Sequence, residues 1–231
     1  NSDASHLIRF RMTTMNEKKV QCCVCGKKSN HKVVRSSYSH GSSDLDTRPS
    51  EMMRSTIYYS IQRCPSCGYS ASDLSECSGD VKVHVESNEY QEIIGNKVIP
   101  KVAASFLALS YEKQQTHQYS ESAWAAIHAA WICDDKNKQK ASKECRKKAI
   151  SMIESANAHS QKMGDQAGAT EVLTIDLMRR AGMFEQALKL VEETKTKDIE
   201  EIILQIIAYE ESLIESKDID SHTVSEALDY K

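Results

Sequence analysis

The chain has 231 residues, of which 40% are apolar and 27% are charged, and its formal net charge is −3. This length suits one large domain or two small ones with a hydrophobic core. A mean hydropathy of −0.53 and the lack of a long unbroken apolar run exclude a transmembrane helix, and no stretch reads as a signal peptide. We therefore expect a soluble, cytoplasmic protein that does not enter a membrane.

Charge is distributed unevenly along the chain. Residues 17–70 contain nine Lys or Arg and four Asp or Glu, whereas residues 198–231 contain two and ten. A local basic region can contact an anionic partner even when the net charge of the whole chain is slightly negative. Any charged partner of residues 17–70 is therefore expected to be anionic.

The N-terminal part has the composition of a small β module. Residues 1–15 show no periodic pattern, and we treat them as a disordered leader or a cloning remnant without a function. Residues 16–97 hold five of the eight glycines and six of the eight cysteines. The Ser-, Asp- and Gly-rich stretch Ser39–Pro49 predicts an exposed loop. Runs of β-branched or aromatic residues predict strands at Lys32–Tyr38, Thr56–Arg63 and Val81–Val85.

The remainder, residues 98–231, predicts helices. After Pro100 there is no proline and there are only three glycines, and the apolar residues fall into helical spacing. The predicted helices are Pro100–Gln115, Ser120 or Ser122 to Cys133, Lys138–Met163, Gln166–Ala181, Phe184–Thr194, Ile199–Ser216 and Thr223–Leu228.

Two cysteine pairs share one pattern, in which two thiols are separated by two residues and followed by glycine. They are Cys22 with Cys25, and Cys64 with Cys67. Two thiolates converging from one tight turn suit tetrahedral Zn²⁺, and the glycine lets the chain fold back so that N–H groups point at the sulfurs. Four thiolates leave no open coordination position, so we predict a structural zinc site.

The other cysteines and two histidines leave alternatives open. Only one residue separates Cys23 from Cys25, so we interpret Cys23 as a bystander, and we interpret the remaining cysteines as unpaired: Cys77, Cys133 and Cys145. His31, His40 or Cys23 could replace a proposed ligand. Two disulfides, free thiols or a thioredoxin-like redox pair are further alternatives.

The helical part contains a turn typical of a tetratricopeptide repeat (TPR). Gly182 can end one helix with a positive φ, Phe184 can fill the corner, and Ala187 allows the next helix to approach closely. This spacing matches the G-x-Y-x-x-A centre of the repeat, with Phe184 in place of tyrosine. Residues 123–131 resemble the first helix of another copy, although the turn that follows them lacks the glycine.

Two further function classes stay open. The basic residues of 17–70, together with Tyr58, Tyr59 and Tyr69, could bind nucleic acid, although the same charges could compensate an anionic four-thiolate zinc site. Asp44 and Asp46 could bind a cation in a hydrolase or transferase, although a solvated loop is the simpler interpretation. The sequence lacks phosphate-loop, dinucleotide-binding, zinc-protease and serine-hydrolase motifs.

One more inference rests on the order of these features. We call each cysteine pair with its following glycine a knuckle. In chain order, the sequence has the first knuckle, Arg35, the paired aspartates Asp44 and Asp46, the tyrosines Tyr58 and Tyr59, the second knuckle within C-P-S-C-G-Y-S-A, and then TPR-like helices. Over roughly residues 20–195, this arrangement resembles the bacterial family called Domain of Unknown Function 2225. The resemblance implies a cytoplasmic bacterial protein with a zinc-knuckle module on a helical repeat, and no known activity. Its implied site residues are Cys22, Cys25, Cys64 and Cys67.

We therefore predict an α+β protein, with a small zinc-ribbon-like β module at 16–97 followed by an all-α, TPR-like domain at 98–231. The leading hypothesis is a non-enzymatic adaptor with structural Zn²⁺ and a helical surface that binds a protein partner. The alternative is a nucleic-acid-binding zinc-ribbon protein. The sequence leaves the oligomeric state open.

Overall fold

The computed structural model describes residues 13–77 and 79–230 and confirms the α+β class. Two antiparallel hairpins precede the helices: β1 (Thr14–Gln21) pairs with β2 (Lys28–Ser36), and β3 (Gln62–Arg63) pairs with β4 (Ser70–Ala71). A 3₁₀ helix spans Arg54–Tyr59. The α-helices are α1 (Val81–Glu86), α2 (Asn88–Gly95), α3 (Lys101–Gln115), α4 (Tyr119–Asp135), α5 (Gln139–Ala158), α6 (Ala169–Ala181), α7 (Phe184–Lys195), α8 (Glu201–Glu215) and α9 (Val224–Asp229).

Strand β1 begins inside the segment to which the sequence assigned no structure. Thr14 and Met15 already pair with β2, opposite Ser36 and Val34. Residues 1–12 of the predicted leader lie outside the described residues. The sequence pattern predicted no strand before Lys32, so β1 (Thr14–Gln21) was missed.

Two of the predicted strands are wrong. Half of Thr56–Arg63 lies in the 3₁₀ helix, and only Gln62–Arg63 is strand. Val81–Val85 lies in α1, where Val81 and Val85 are 3% and 1% exposed while Val83 is 65% exposed. A strand would place all three valines on one face, whereas a helix places Val81 and Val85 one turn apart on the same side. Packing therefore overrode the β preference of valine.

The predicted helices are present, but one of them ends earlier than the sequence predicted. Helix α5 ends at Ala158 rather than Met163, because Ser160 adopts a φ of 56°. After α4, Asn137 adopts a φ of 52°, and its N–H donates to the Asp134 carbonyl at 2.9 Å. A left-handed residue of this kind ends a helix without requiring glycine. The same ending recurs after α3, α6 and α8, at His117, Gly182 and Lys217.

The turn predicted between α6 and α7 has the expected geometry. Gly182 has a φ of 80°, and the N–H groups of Gly182 and Met183 each donate at 2.9 Å to carbonyls in the last turn of α6. Phe184 begins α7, and Ala187 is fully buried in a core cluster that also includes Ile175 of α6. Among the described residues, no helix combines the length and the apolar character needed to cross a membrane.

The loop Ser39–Pro49 is exposed only in part, because its segment Asp44–Asp46 packs against the helices. Asp44 and Asp46 are 4% and 0% exposed, and Leu45 belongs to the apolar cluster of α6–α9. The Leu45 N–H donates to the His222 carbonyl at 2.9 Å, just before α9. The partners of this loop are far away in the sequence, so its polar composition alone suggested solvent exposure.

Asp46 lies at the centre of a buried network of charged groups. Its Oδ2 accepts hydrogen bonds from Trp131 Nε1 at 2.8 Å and from Arg180 Nη1 at 2.7 Å. The other terminal nitrogen of Arg180 donates to Asp134 Oδ2 at 2.9 Å. Because the Arg180 charge is buried, its carboxylate partners are needed to compensate it. Asp46 thus links the loop to helices α4 and α6.

A second buried charge is held nearby by α6 and α8. Arg179 donates through Nε to Glu210 at 2.7 Å and through Nη2 to Asp176 at 2.6 Å. Its Nη1 donates to the carbonyls of Asp218 and Asp220 at 2.9 and 3.0 Å. Burial raises the pKa of the Glu210 carboxyl well above its usual value, and the nearby Asp176 charge raises it further. Arg179 therefore ties α6, α8 and the following loop together.

Candidate metal centre

Each of the two predicted cysteine pairs lies in the turn of a hairpin, and the two turns face each other. Cys22 and Cys25 occupy the turn between β1 and β2, and Cys64 and Cys67 belong to the turn between β3 and β4. All four Sγ atoms lie within 4.8 Å of one another. The structure therefore brings together the four residues that the sequence singled out as ligands.

The sulfur separations suit a tetrahedral metal ion. The Cys22 and Cys67 Sγ atoms are 3.7 Å apart, and those of Cys25 and Cys64 are 3.5 Å apart. A tetrahedral ion with metal–sulfur bonds of about 2.3 Å requires sulfur–sulfur separations of about 3.8 Å. Oxygen-preferring ions such as Mg²⁺ and Ca²⁺ do not match four thiols, whereas zinc and iron do. The donor set and the spacing thus fit a thiophilic metal.

The two turns have nearly the same backbone geometry. In the first, the Cys22 N–H donates to the Lys27 carbonyl at 2.9 Å and the Gly26 N–H to the Cys22 carbonyl at 2.8 Å. In the second, the Cys64 N–H donates to the Tyr69 carbonyl at 2.8 Å. The glycines after the two pairs have φ values of 73° and 80°, which residues with a Cβ rarely adopt. The glycine in each knuckle is therefore a geometric requirement.

Backbone N–H groups in both turns point at the sulfurs. The Lys27 N–H is the main reason that the pKa of the exposed Cys25 thiol is lowered to about 7. Burial raises the pKa of Cys22, although N–H groups of Val24 and Cys25 oppose that effect. Burial likewise raises the pKa of Cys67, against the N–H of Tyr69. A metal ion that displaces the thiol protons would supply the charge that these N–H groups only partly balance.

Helix α2 supports the second knuckle from behind, which the sequence did not indicate. The Tyr90 hydroxyl is fully buried, accepts from the Ser70 N–H at 3.0 Å and donates to the Gly68 carbonyl at 3.4 Å. A Cβ added to Gly68 would lie 2.0 Å from Ile94 Cδ1. Gln91 donates to the Cys67 carbonyl at 3.4 Å. No spacing rule connects α2 to the cysteines, so only the three-dimensional packing reveals this role.

Cys23 and Cys77 form a disulfide, which corrects the prediction that both are unpaired. Their Cα atoms are 5.7 Å apart, and the residues are separated by 54 positions. The Cys23 N–H also donates to the Leu74 carbonyl at 2.8 Å, so the segment after β4 runs beside the first knuckle. Because the two segments lie side by side, Cys23 and Cys77 can bond. The spacing of the cysteines along the sequence does not predict this contact.

The remaining predicted alternatives lie away from the four thiols. His31 is in β2, where its Nε2 is 2.8 Å from the Ser29 hydroxyl, and desolvation lowers its pKa. His40 is exposed in the loop Ser39–Pro49. Cys133 and Cys145 are free and buried together between α4 and α5. Among the described residues, only the four knuckle cysteines form a group of three or more metal-ligating side chains.

The aromatic residues nominated for nucleic acid do not form one surface. Tyr58 donates to Asp135 at 3.0 Å, and Lys136 lies 5.4 Å from the centre of its ring. Tyr69 is 6% exposed and donates to the Glu76 carbonyl at 2.9 Å, whereas Tyr59 is 40% exposed. Stacking on these three rings together is therefore not supported.

The chain matches one protein family over most of its length. The family is described as "Uncharacterized protein conserved in bacteria (DUF2225)", and its model matches residues 15–210. No curated protein and no solved structure matches the chain. The matched range includes both cysteine knuckles and helices α1–α7.

Proposed function

The chain belongs to the DUF2225 family, and we propose that it is a non-enzymatic zinc protein that acts as an adaptor. A structural Zn²⁺ held by Cys22, Cys25, Cys64 and Cys67 fixes the two hairpins, and the TPR-like helices bind a protein partner. The convergence of four thiols within 4.8 Å is the observation that carries the proposal.

Zinc is the preferred ion because all four ligands are thiols. Zn²⁺ with four cysteines is normally a closed structural site, in which no coordination position remains for water or a substrate. Iron is the competitor, since it accepts the same tetrahedral set of sulfurs. A cytoplasmic location belongs to the same proposal, because thiolate ligands persist where thiols stay reduced. The Cys23–Cys77 disulfide would be open to reduction in that compartment.

The hydrogen bonds made by Asp44 and Asp46 also support a non-enzymatic protein. Asp44 accepts hydrogen bonds from Arg54 and, at 2.8 Å, from Ser221, and Asp46 is enclosed by Trp131 and Arg180. Carboxylates engaged in this way are not free to bind a catalytic cation or to take a proton from a substrate. The geometry thus disfavours the hydrolase or transferase hypothesis that depended on these residues.

The acidic C-terminal helices offer a surface for the protein partner. Ile202 of α8 and Leu228 of α9 are 45% and 37% exposed, and they flank Gln205, which donates to the Leu228 carbonyl at 2.8 Å. Tyr230 follows at 43% exposure. Apolar side chains inside a charged rim are typical of an interface. With ten acidic and two basic residues in 198–231, this surface fits a partner with a basic rim.

The metal half of the proposal is tested by elemental analysis of the native protein. We expect one zinc per chain and no visible absorption from iron–thiolate charge transfer. Addition of EDTA should lower the thermal stability of the hairpins before that of the helices. A protein that purifies with iron, or without metal while the hairpins remain folded, would contradict the zinc site.

The adaptor half is tested by crosslinking the purified protein in lysate and identifying captured proteins. The double variant Ile202→Asp/Leu228→Asp should lose the captured partner, whereas Val83→Asp, at a 65% exposed apolar residue of α1, should retain it. If the wild type captures nothing beyond the level seen with the double variant, the adaptor role is wrong even when zinc is present.

A further inference from the structure

The first hairpin carries a concentration of positive charge that the zinc site and the helices do not use. Residues 14–36 contain six Lys or Arg and one Glu, although the whole chain has a net charge of −3. Lys18 forms an ion pair with Asp73 at 2.6 Å. Within the described part of the chain, no ion pair is found for the other five cations of the hairpin: Lys19, Lys27, Lys28, Lys32 and Arg35.

Three of these lysines share one face of the hairpin. Lys19 pairs with Asn30 in the ladder, and the positions on either side of Asn30 on the same face are Lys28 and Lys32. Side chains at such diagonal positions are about 7–8 Å apart. All three lysines are exposed. They therefore form a zigzag of ammonium groups along the ribbon, which we call the lysine face.

The need to balance the negative charge of the metal site does not explain the lysine face. A strand rises about 3.3 Å per residue, so Lys32 lies about 13 Å beyond Lys28 along the strand that leaves the knuckle. Salt screens charges over about 8 Å at physiological ionic strength. Lys27 and Lys28, next to the knuckle, can balance an anionic thiolate site, but Lys32 is too far away to contribute much.

The chemistry of the lysine face selects one kind of partner. Protein interfaces are depleted in lysine and enriched in aromatic residues, and the neighbours of the three lysines on this face are polar: Asn30 opposite Lys19, Gln21 opposite Lys28, and one carboxylate, Glu17, opposite Lys32. A membrane surface would need an apolar anchor beside the lysines, and single-stranded nucleic acid would need rings for base stacking. A two-stranded ribbon also fits the major groove of DNA. We infer that the lysine face binds the phosphate backbone of double-stranded nucleic acid.

The inference is tested with the full-length, zinc-loaded chain by fluorescence anisotropy, using a labelled 20-base-pair DNA duplex of arbitrary sequence and an RNA duplex of the same length. The triple variant Lys19→Gln/Lys28→Gln/Lys32→Gln removes three cations without adding acid. At about 50 mM salt we expect its Kd to rise at least tenfold, and the slope of log K against log salt to become shallower by about 2.7, because each phosphate contact contributes about 0.9.

Matched controls separate this site from charge in general. Lys97→Gln/Lys138→Gln/Lys140→Gln removes three exposed lysines that lie outside the first hairpin, and it should leave the Kd for the duplex within about twofold of wild type, since those lysines make no phosphate contact. Both variants should keep one zinc per chain and the wild-type melting temperature. The inference is overturned if the wild type binds neither duplex, if both triple variants weaken binding equally, or if poly-glutamate binds as tightly as the duplexes.

Discussion

The hairpin region and the helical region of this protein are held together by different forces. In residues 13–77, the sheets have two strands each, and the apolar cluster beneath them includes two of the cysteines themselves, Cys22 and Cys64. In residues 101–230, helices share apolar clusters that contain Ile127, Ile153 and Leu177, and they also share a buried network of arginines and carboxylates. A two-stranded sheet alone is at best marginally stable in water. The comparison teaches that the first region depends on its crosslinks, whereas the second depends on packing and internal charge pairing.

The largest effect should come from removal of one buried ligand. Cys64→Ser should abolish stoichiometric zinc binding and unfold the hairpins while helical circular dichroism is largely kept, because zinc binding contributes about 10–16 kcal/mol in comparable peptides. Metal analysis and hydrogen exchange resolved by region would measure this. Cys23→Ser is the matched control, since Cys23 is adjacent to a ligand and should leave one zinc per chain. Equal hydrogen-exchange protection of the hairpins in Cys64→Ser and wild type would refute the comparison.

For the stability of the helical region, the largest effect should come from Asp46, which lies in the loop Ser39–Pro49 and contacts α4 and α6. Asp46→Ala leaves the Trp131 N–H without an acceptor and leaves Arg180 with Asp134 as its remaining hydrogen-bond partner, and breaking a buried pair typically costs about 3–5 kcal/mol. Urea unfolding followed at the helical signal would measure the loss. Asp135→Ala, at a partly exposed carboxylate, should cost less. If the two variants lose equal stability, burial of the loop is not what makes the pair important.

The Cys23–Cys77 disulfide also tests the comparison, because its contribution to stability should depend on whether zinc is bound. A closed loop of about 55 residues gives a stabilisation of about 4 kcal/mol in the chain-entropy treatment. When zinc already joins the two knuckles, the additional loop closed by Cys23–Cys77 is only about a dozen residues, and the same treatment gives about 3 kcal/mol. Cys77→Ser should therefore destabilise the zinc-free chain more than the zinc-loaded chain, as measured by denaturant unfolding with and without EDTA. A larger effect in the zinc-loaded chain would run against this account.

The smallest effect concerns pH and the helical core. His128 lies among the rings of Phe106, Trp124 and Trp131, and burial lowers its pKa to about 4 from a usual value near 6.5. The folded state therefore keeps His128 neutral while the unfolded state binds a proton, so the stabilisation is present above pH 6.5 and is lost as the pH falls toward 4. Between pH 7 and pH 5 the loss should be about 2 kcal/mol.

The variant His128→Phe isolates this contribution, since it keeps an aromatic ring and removes the titration. Its free energy of unfolding should fall less than that of the wild type over the same pH range, measured by urea unfolding of the helices. Identical pH dependence in the two proteins would mean that other groups account for the acid sensitivity.

The parts of the fold that the sequence predicted are those controlled by local rules. The C-x-x-C-G pattern specifies a turn through its glycine and its thiols, and Gly182 specifies a helix end in the same way. The sequence prediction failed where a contact spans a long separation. Cys23 and Cys77 meet only because the chain returns past the first knuckle, and Asp46 is buried only because Arg180 lies opposite it. The helix ends at Asn137 and Ser160 show a third case, in which ordinary residues adopt the conformation that glycine prefers.

The loop Ser39–Pro49, between the two cysteine pairs, also affects the order in which parts of the molecule can fold during synthesis. The backbones of Asp44 and Thr223 form an isolated antiparallel β-bridge, and the N–H of Val224 donates to the Ser43 carbonyl at 2.9 Å. On the ribosome, domains generally fold as units from the N-terminus, but residues 43–46 emerge about 180 positions before these partners. The metal-binding cysteines can assemble early in synthesis. The loop between them reaches its native contacts only after residue 224 has emerged, so α8 and α9 complete the packing of a loop that was synthesised long before them.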